Sequence, residues 1–268
     1  QMVFPSKSST FNLKPLVIGS ICVLITGISY GFGMYLFPMM IPEMAKDLNL
    51  NYAQIGTITG IGRASVFLSI PLAGFLTTRI CGLKLIVGIQ LFGAMLLAGL
   101  YAVKGFKSLL ILNFFIQAWP VMTWVPLISV AVDHIPIKWR ATMLTLASSS
   151  GCFLILIDGV LSSFFLEHLH WRYLWLTVAL ICLLSCIVSR MGLQYMAVWT
   201  KTDLLPVTKE KASEKKVTEW LKSRNGITMN MIFLITGLSF GTFQVYLASY
   251  LRDELFVGLD TTALMWSI

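Results

Sequence analysis

The stretch Gly74-Phe-Leu-Thr-Thr-Arg79-Ile-Cys-Gly82-Leu-Lys84 decides the fold. A mostly apolar run from Tyr52 to Thr78 precedes it, and another from Leu85 to Val103 follows. Two runs long enough to cross a membrane, joined by so few residues, predict a tight helical hairpin whose tip stays in water. Arg79 and Lys84 place that tip on the cytoplasmic side, where the basic residues of short loops collect.

Working outward, the same pattern recurs. The chain is 57% hydrophobic and only 12% charged, with a mean hydropathy of +0.80, values that a soluble domain rarely reaches. The expected fold class is all-α, a polytopic membrane protein. Its predicted organisation is a polar cytoplasmic tail over 1–14, six spans over 15–192, a basic linker over 193–226, and a seventh span with the start of an eighth over 227–268. The six spans are read at 15–44, 52–78, 84–103, 108–133, 141–166 and 171–192. Gln1 in place of Met suggests a cropped N-terminus. Residues 1–13 lack the apolar core of a signal peptide, so the first span is expected to be retained. In the linker, Val217, Trp220 and Leu221 repeat at helical spacing among lysines, which predicts an amphipathic helix on the inner leaflet.

The net charge of +8 does not point to nucleic acid, because its distribution follows membrane orientation. With the N-terminus inside, fourteen basic residues fall in cytoplasmic segments and five outside. The expectation is a multi-pass protein of the cell or inner membrane, with its N-terminus and central linker cytoplasmic. The five cysteines show no metal-ligand spacing. No cofactor or metal is expected, and the absence of a nucleophile–base constellation or phosphate loop argues against an enzyme.

Three turns carry a family resemblance. The spacing Gly74-x-Leu76-x-x-Arg79-x-x-Gly82-x-Lys84 resembles the loop between helices 2 and 3 of the major facilitator superfamily, with Thr78 where that family usually has Asp. Asp133-x-x-Pro136-x-x-x-Arg140 resembles the turn after its helix 4, with Ala141 for the usual Gly, and Trp171-Arg172 resembles the opening of its helix 6. A shift of 211 residues pairs Tyr35-Leu36 with Tyr246-Leu247 and Glu43 with Glu254, so the seventh span reads as the first of a second half. The resemblance implies two six-helix bundles around a substrate cavity, transport of a small organic solute by alternating access, and a missing C-terminal half needed to complete the path. The lipid bilayer and the solute are the implied partners, with protons a further candidate partner through Asp158. A membrane sensor or scaffold that kept the fold is the alternative.

Arg63 and Asp158 are the ionisable residues well inside the spans, about 16 Å and 12 Å below the outer ends of theirs. Three readings stand: Arg63 binds an anionic solute bidentately, Asp158 carries a coupling proton, or the two form a static buried pair. Tyr30, Asn113, Gln117, Trp124 and Gln244 are softer candidates for the cavity wall, with interhelical packing as the plainer reading. Gly74, Arg79, Gly82, Lys84, Asp133 and Arg140 form a candidate cytoplasmic gate, in which Asp133 would sit between two guanidiniums. Gly56, Gly60, Arg63, Phe67, Ile70 and Gly74 share one face of the second span, and their small members predict that this face meets protein. Gly151 is followed by Cys152, not by the Pro of the family's drug-antiporter motif.

Overall fold

Helices long and apolar enough to cross a membrane account for most of this computed structural model, which describes residues 13–80, 82–195, 219, 223–255, 258 and 261. The first span is composite: α1 (Leu13–Tyr30), one π-helical turn (Gly31–Tyr35) and α2 (Leu36–Asp47). The chain then reverses through Asn49, whose φ of 51° is a left-handed conformation that asparagine tolerates. A capping box starts α3 (Tyr52–Arg79): the Asn51 side chain accepts from the Gln54 N–H at 2.8 Å, and the Gln54 side chain accepts from the Asn51 N–H at 3.0 Å. There follow α4 (Gly82–Tyr101), α5 (Phe106–His134), α6 (Ile137–His168), α7 (Trp171–Tyr195) and α8 (Arg224–Ser249), which continues into a π-helical turn, Tyr250–Glu254. The predicted linker helix and the eighth span fall outside the described stretches. Pro136 caps α6 with an extended backbone, so that helix begins at Ile137, earlier than the span read at 141.

Short connections force neighbours to alternate in direction, and the main seams are α3 with α5, α4 with α7, α1 with α6, and α4 with α5; α8 rests on α2. Lipid gives such helices little hydrophobic reason to associate, so close approach at small residues carries the packing. Gly27 lies against Ser150 and Leu154, Gly31 against Leu154, and Gly62 against Asn113 and Gln117. The buried Trp119 indole is held between Gly33 of the first span and Gly93 of α4. A methyl at Gly93 would overlap the indole, which has Gly33 behind it. Gly93→Ala is therefore expected to destabilise the bundle by about 1–3 kcal/mol, seen as an earlier thermal transition in tryptophan fluorescence. An unchanged midpoint would mean that the indole can retreat.

Within the described helices, α3 does not pack through the face read from sequence. At Gly60 and Gly74 nothing lies within 4 Å of where a β-carbon would stand, and Phe67 and Ile70 are 73% and 49% exposed. The seam with α5 uses the adjacent stripe Ile55, Ile58, Thr59, Gly62, Ser65, Ser69 and Ala73. That stripe is equally rich in small residues, and it also carries the carbonyl of Ile58 that accepts from Asn113 at 2.9 Å. Small-residue periodicity alone does not choose between the two faces.

The two rims of the bundle are built differently. At one, Asp47 accepts from the Arg172 guanidinium at 3.0 Å and from the Trp171 indole N–H at 3.3 Å, while Arg172 also donates to the Tyr101 carbonyl at 3.1 Å. One carboxylate thus ties the ends of α2 and α7, and Arg172 extends the tie to α4. Arg172 also lies over the Trp171 ring, 4.8 Å from its centre. In sequence Arg172 is one of the five external basic residues, and nothing there signals this knot. The opposite rim carries the hairpin tip. There Asp133 is exposed and forms no ion pair with Arg79 or Arg140. Arg140 instead donates from Nε to the Ile135 carbonyl at 2.8 Å, at the end of α5 where helix carbonyls lack intrahelical partners. Arg79 packs over Phe75, 4.9 Å from the ring centre. The carboxylate between two guanidiniums is not formed.

Candidate functional site

Tyr30 and Tyr35 organise the candidate site. In a regular α-helix, residues five apart point about 140° away from each other. The π-turn closes with the Leu36 N–H on the Gly31 carbonyl, a wider ring that turns Tyr35 back toward the side of Tyr30. Both tyrosines therefore reach the same residue of α6. A β-carbon on Gly151 would stand 2.9 Å from Tyr30 Cβ and 3.4 Å from Tyr35 Cε2. Gly151 is the floor on which the two side chains rest.

Two groups extend this pair. Trp124 of α5 meets Tyr30 edge-to-face, with centroids 6.5 Å apart and planes at 86°. Arg63 of α3 and Cys152 of α6 lie within electrostatic reach of the Tyr35 hydroxyl. Arg63, Tyr30 and Trp124, candidates from sequence, are thus linked through Tyr35 and Gly151, which are not among those candidates. Arg63, Tyr30 and Trp124 are only partly buried, while Cys152 is exposed, so the cluster opens out of the bundle.

Asp158 is placed otherwise. It is fully buried, and neither carboxyl oxygen has a hydrogen-bond partner. No ion pair joins it to Arg63, so the static buried pair is not present. The first span and α6 run side by side in a steady register: Gly27 with Ser150, Gly31 with Leu154, and Met39 with Ser162, whose hydroxyl is 3.4 Å from the Met39 sulfur. That register, an offset of 123 residues, sets Asp158 level with Tyr35. Asp158 and Arg63, the intramembrane ionisable groups singled out in sequence, thus do not neutralise each other.

The remaining candidates sit elsewhere. Asn113 and Gln117 are buried in the α3–α5 seam against Gly62, where Asn113 Nδ2 is committed to the Ile58 carbonyl. Their Oδ1 and Oε1 atoms are buried without a partner. The side chain of Gln244 lies outside the described residues. Gly82 lets α4 approach α5, its β-carbon position lying 2.9 Å from a Val130 methyl. Among the described residues, no group of His, Cys, Asp and Glu side chains is arranged to hold a metal ion.

Comparison with known proteins bears on the whole of this arrangement. The Major Facilitator Superfamily model matches residues 23–268. A solved structure described as a bacterial homologue of the human lysosomal transporter Spinster, inward-facing and unoccupied, superposes with a TM-score of 0.78 at 16% identity. The match covers 95% of this chain and 59% of that one, so this chain spans about three fifths of its neighbour's length, and the likeness is one of fold. No curated protein sequence matches. The family model runs from within α1 through every later helix described above, and takes in the turns at Arg79 and Arg140 and the opening of α7. This integral, multi-pass chain belongs to the Major Facilitator Superfamily.

Proposed function

We propose that the natural protein is a secondary transporter that moves a small organic anion by alternating access, coupled to protons. Arg63 holds the anionic end of the solute, with Tyr35 beside it and the Tyr30–Trp124 pair as an apolar wall. Asp158 carries the coupling proton. The observation that carries this reading is the bare, fully buried carboxyl of Asp158 level with Tyr35. Ionisable groups inside a membrane are costly, and one without a partner marks a pathway more readily than a scaffold. The exposed faces of α3 and α6, which border the site, are where a second bundle would complete the cavity. The basic rim faces the cytoplasm in this reading.

Counterflow in proteoliposomes tests the function directly. External labelled organic anion is expected to enter against its own unlabelled pool. Saturable binding with no exchange would overturn transport and favour a sensor. Cys152 offers a local probe, since it is exposed while Cys22, Cys182 and Cys186, the other cysteines among the described residues, are buried. A charged methanethiosulfonate is expected to block counterflow in the wild type and to have little effect on Cys152→Ala. Equal block in both would place Cys152 outside the path.

A further inference from the structure

A groove of about 290 Å³ opens between α4 and α5, away from the Tyr30–Arg63 cluster. Lys84, Gly88 and Phe92 lie along its α4 side at helical spacing, with Trp119 and Met122 of α5 opposite. Lys84 to Phe92 is eight residues, about 12 Å along the helix axis. The groove runs from the hairpin rim into the hydrocarbon. Its lining is apolar except for Lys84, which is exposed and has no carboxylate partner among the described residues. Gly88 is also exposed, and nothing lies within 4 Å of where its β-carbon would be. The open space over Gly88 is therefore room in the groove, not a close helix contact.

A cation at the membrane surface above an apolar slot complements one kind of molecule. We infer that this groove binds an anionic phospholipid, its phosphate oxygens on the Lys84 ammonium and one acyl chain lying over Gly88 toward Phe92. Basic pockets between transmembrane helices hold lipid headgroups through this combination of charge and apolar contact. A carboxylate-bearing protein partner could meet Lys84 but would leave the slot, about 12 Å long, unfilled. An acyl chain fills it without backbone polar groups to satisfy. The site stands apart from Arg63 and Asp158, so its failure would leave the proposed transport untouched.

The test is lipid retention by the natural protein, equilibrated with equal phosphatidylglycerol and phosphatidylcholine in detergent and read by native mass spectrometry. The wild type is expected to keep one phosphatidylglycerol in preference to phosphatidylcholine. Lys84→Gln should lower that preference about fivefold, the worth of one basic residue at an anionic surface. Gly88→Phe projects into open space and should displace the retained lipid of either kind with an unchanged thermal midpoint. Retention that is the same in all three proteins would overturn the site. So would a wild type with no headgroup preference, or a groove closed by a second copy of the chain, seen as a dimer that Gly88→Phe breaks.

Discussion

Arg63→Lys in the natural protein is expected to raise KM for an anionic solute about 10- to 100-fold while leaving the thermal midpoint in place. A guanidinium grips a carboxylate with two parallel N–H donors, whereas an ammonium is a point charge on a flexible stem. Losing one charge-assisted hydrogen bond costs about 1.5–3 kcal/mol, and each 1.4 kcal/mol is about tenfold in affinity. Lysine keeps the positive charge beside Tyr35, so long-range attraction should survive and the loss should report geometry. A neutral analogue of the solute should be transported as well by the variant as by the wild type. Unchanged affinity for the anion would remove Arg63 from the binding site. A matching fall in thermal stability would assign it to packing instead.

Asp158→Asn is expected to abolish proton-driven accumulation while sparing exchange. An ionised carboxylate without a partner is expensive to bury, by several kcal/mol even after relaxation. Both oxygens of Asp158 are bare, so a charged carboxylate there would need water or a cation to reach it. A group that can shed its proton only when the helices around it part links protonation to conformation. Asparagine copies the shape of the neutral acid and cannot release a proton. The variant should therefore fold and support counterflow, yet bring internal and external solute no further than equality when a proton gradient is imposed. Gradient-driven accumulation at wild-type level would sink the coupling role.

The helices are legible because a membrane imposes one requirement, backbone groups paired within apolar segments, and sequence displays it openly. Tyr52, Trp171 and the Arg79 turn mark their boundaries with little ambiguity. Which side of a helix meets which neighbour is harder to read. In α3, Gly56–Gly60–Arg63 and Ile58–Gly62–Ser65 are both small-residue stripes, and the choice depends on where Asn113 and Gln117 stand on α5. Tyr35 escapes notice for a different reason. Five residues from Tyr30, it belongs to the same side only because Gly31–Tyr35 is wound as a π-turn, and no regular helical spacing reveals that. Arg63 and Asp158 stand out as intramembrane charges. That they do not pair reflects which helices pack together, α3 on α5 and α6 on the first span, a property of paired surfaces and not of either sequence alone.

The knot at Asp47 has a mechanical meaning. One carboxylate and one guanidinium, both partly exposed, join the ends of α2, α4 and α7, so these three helices share one anchor point at this rim. At the other rim Asp133 forms no ion pair with Arg79 or Arg140, and the Arg140 Nε holds the turn beside it. A change at Asp47 or Arg172 is therefore felt at the ends of three helices at once.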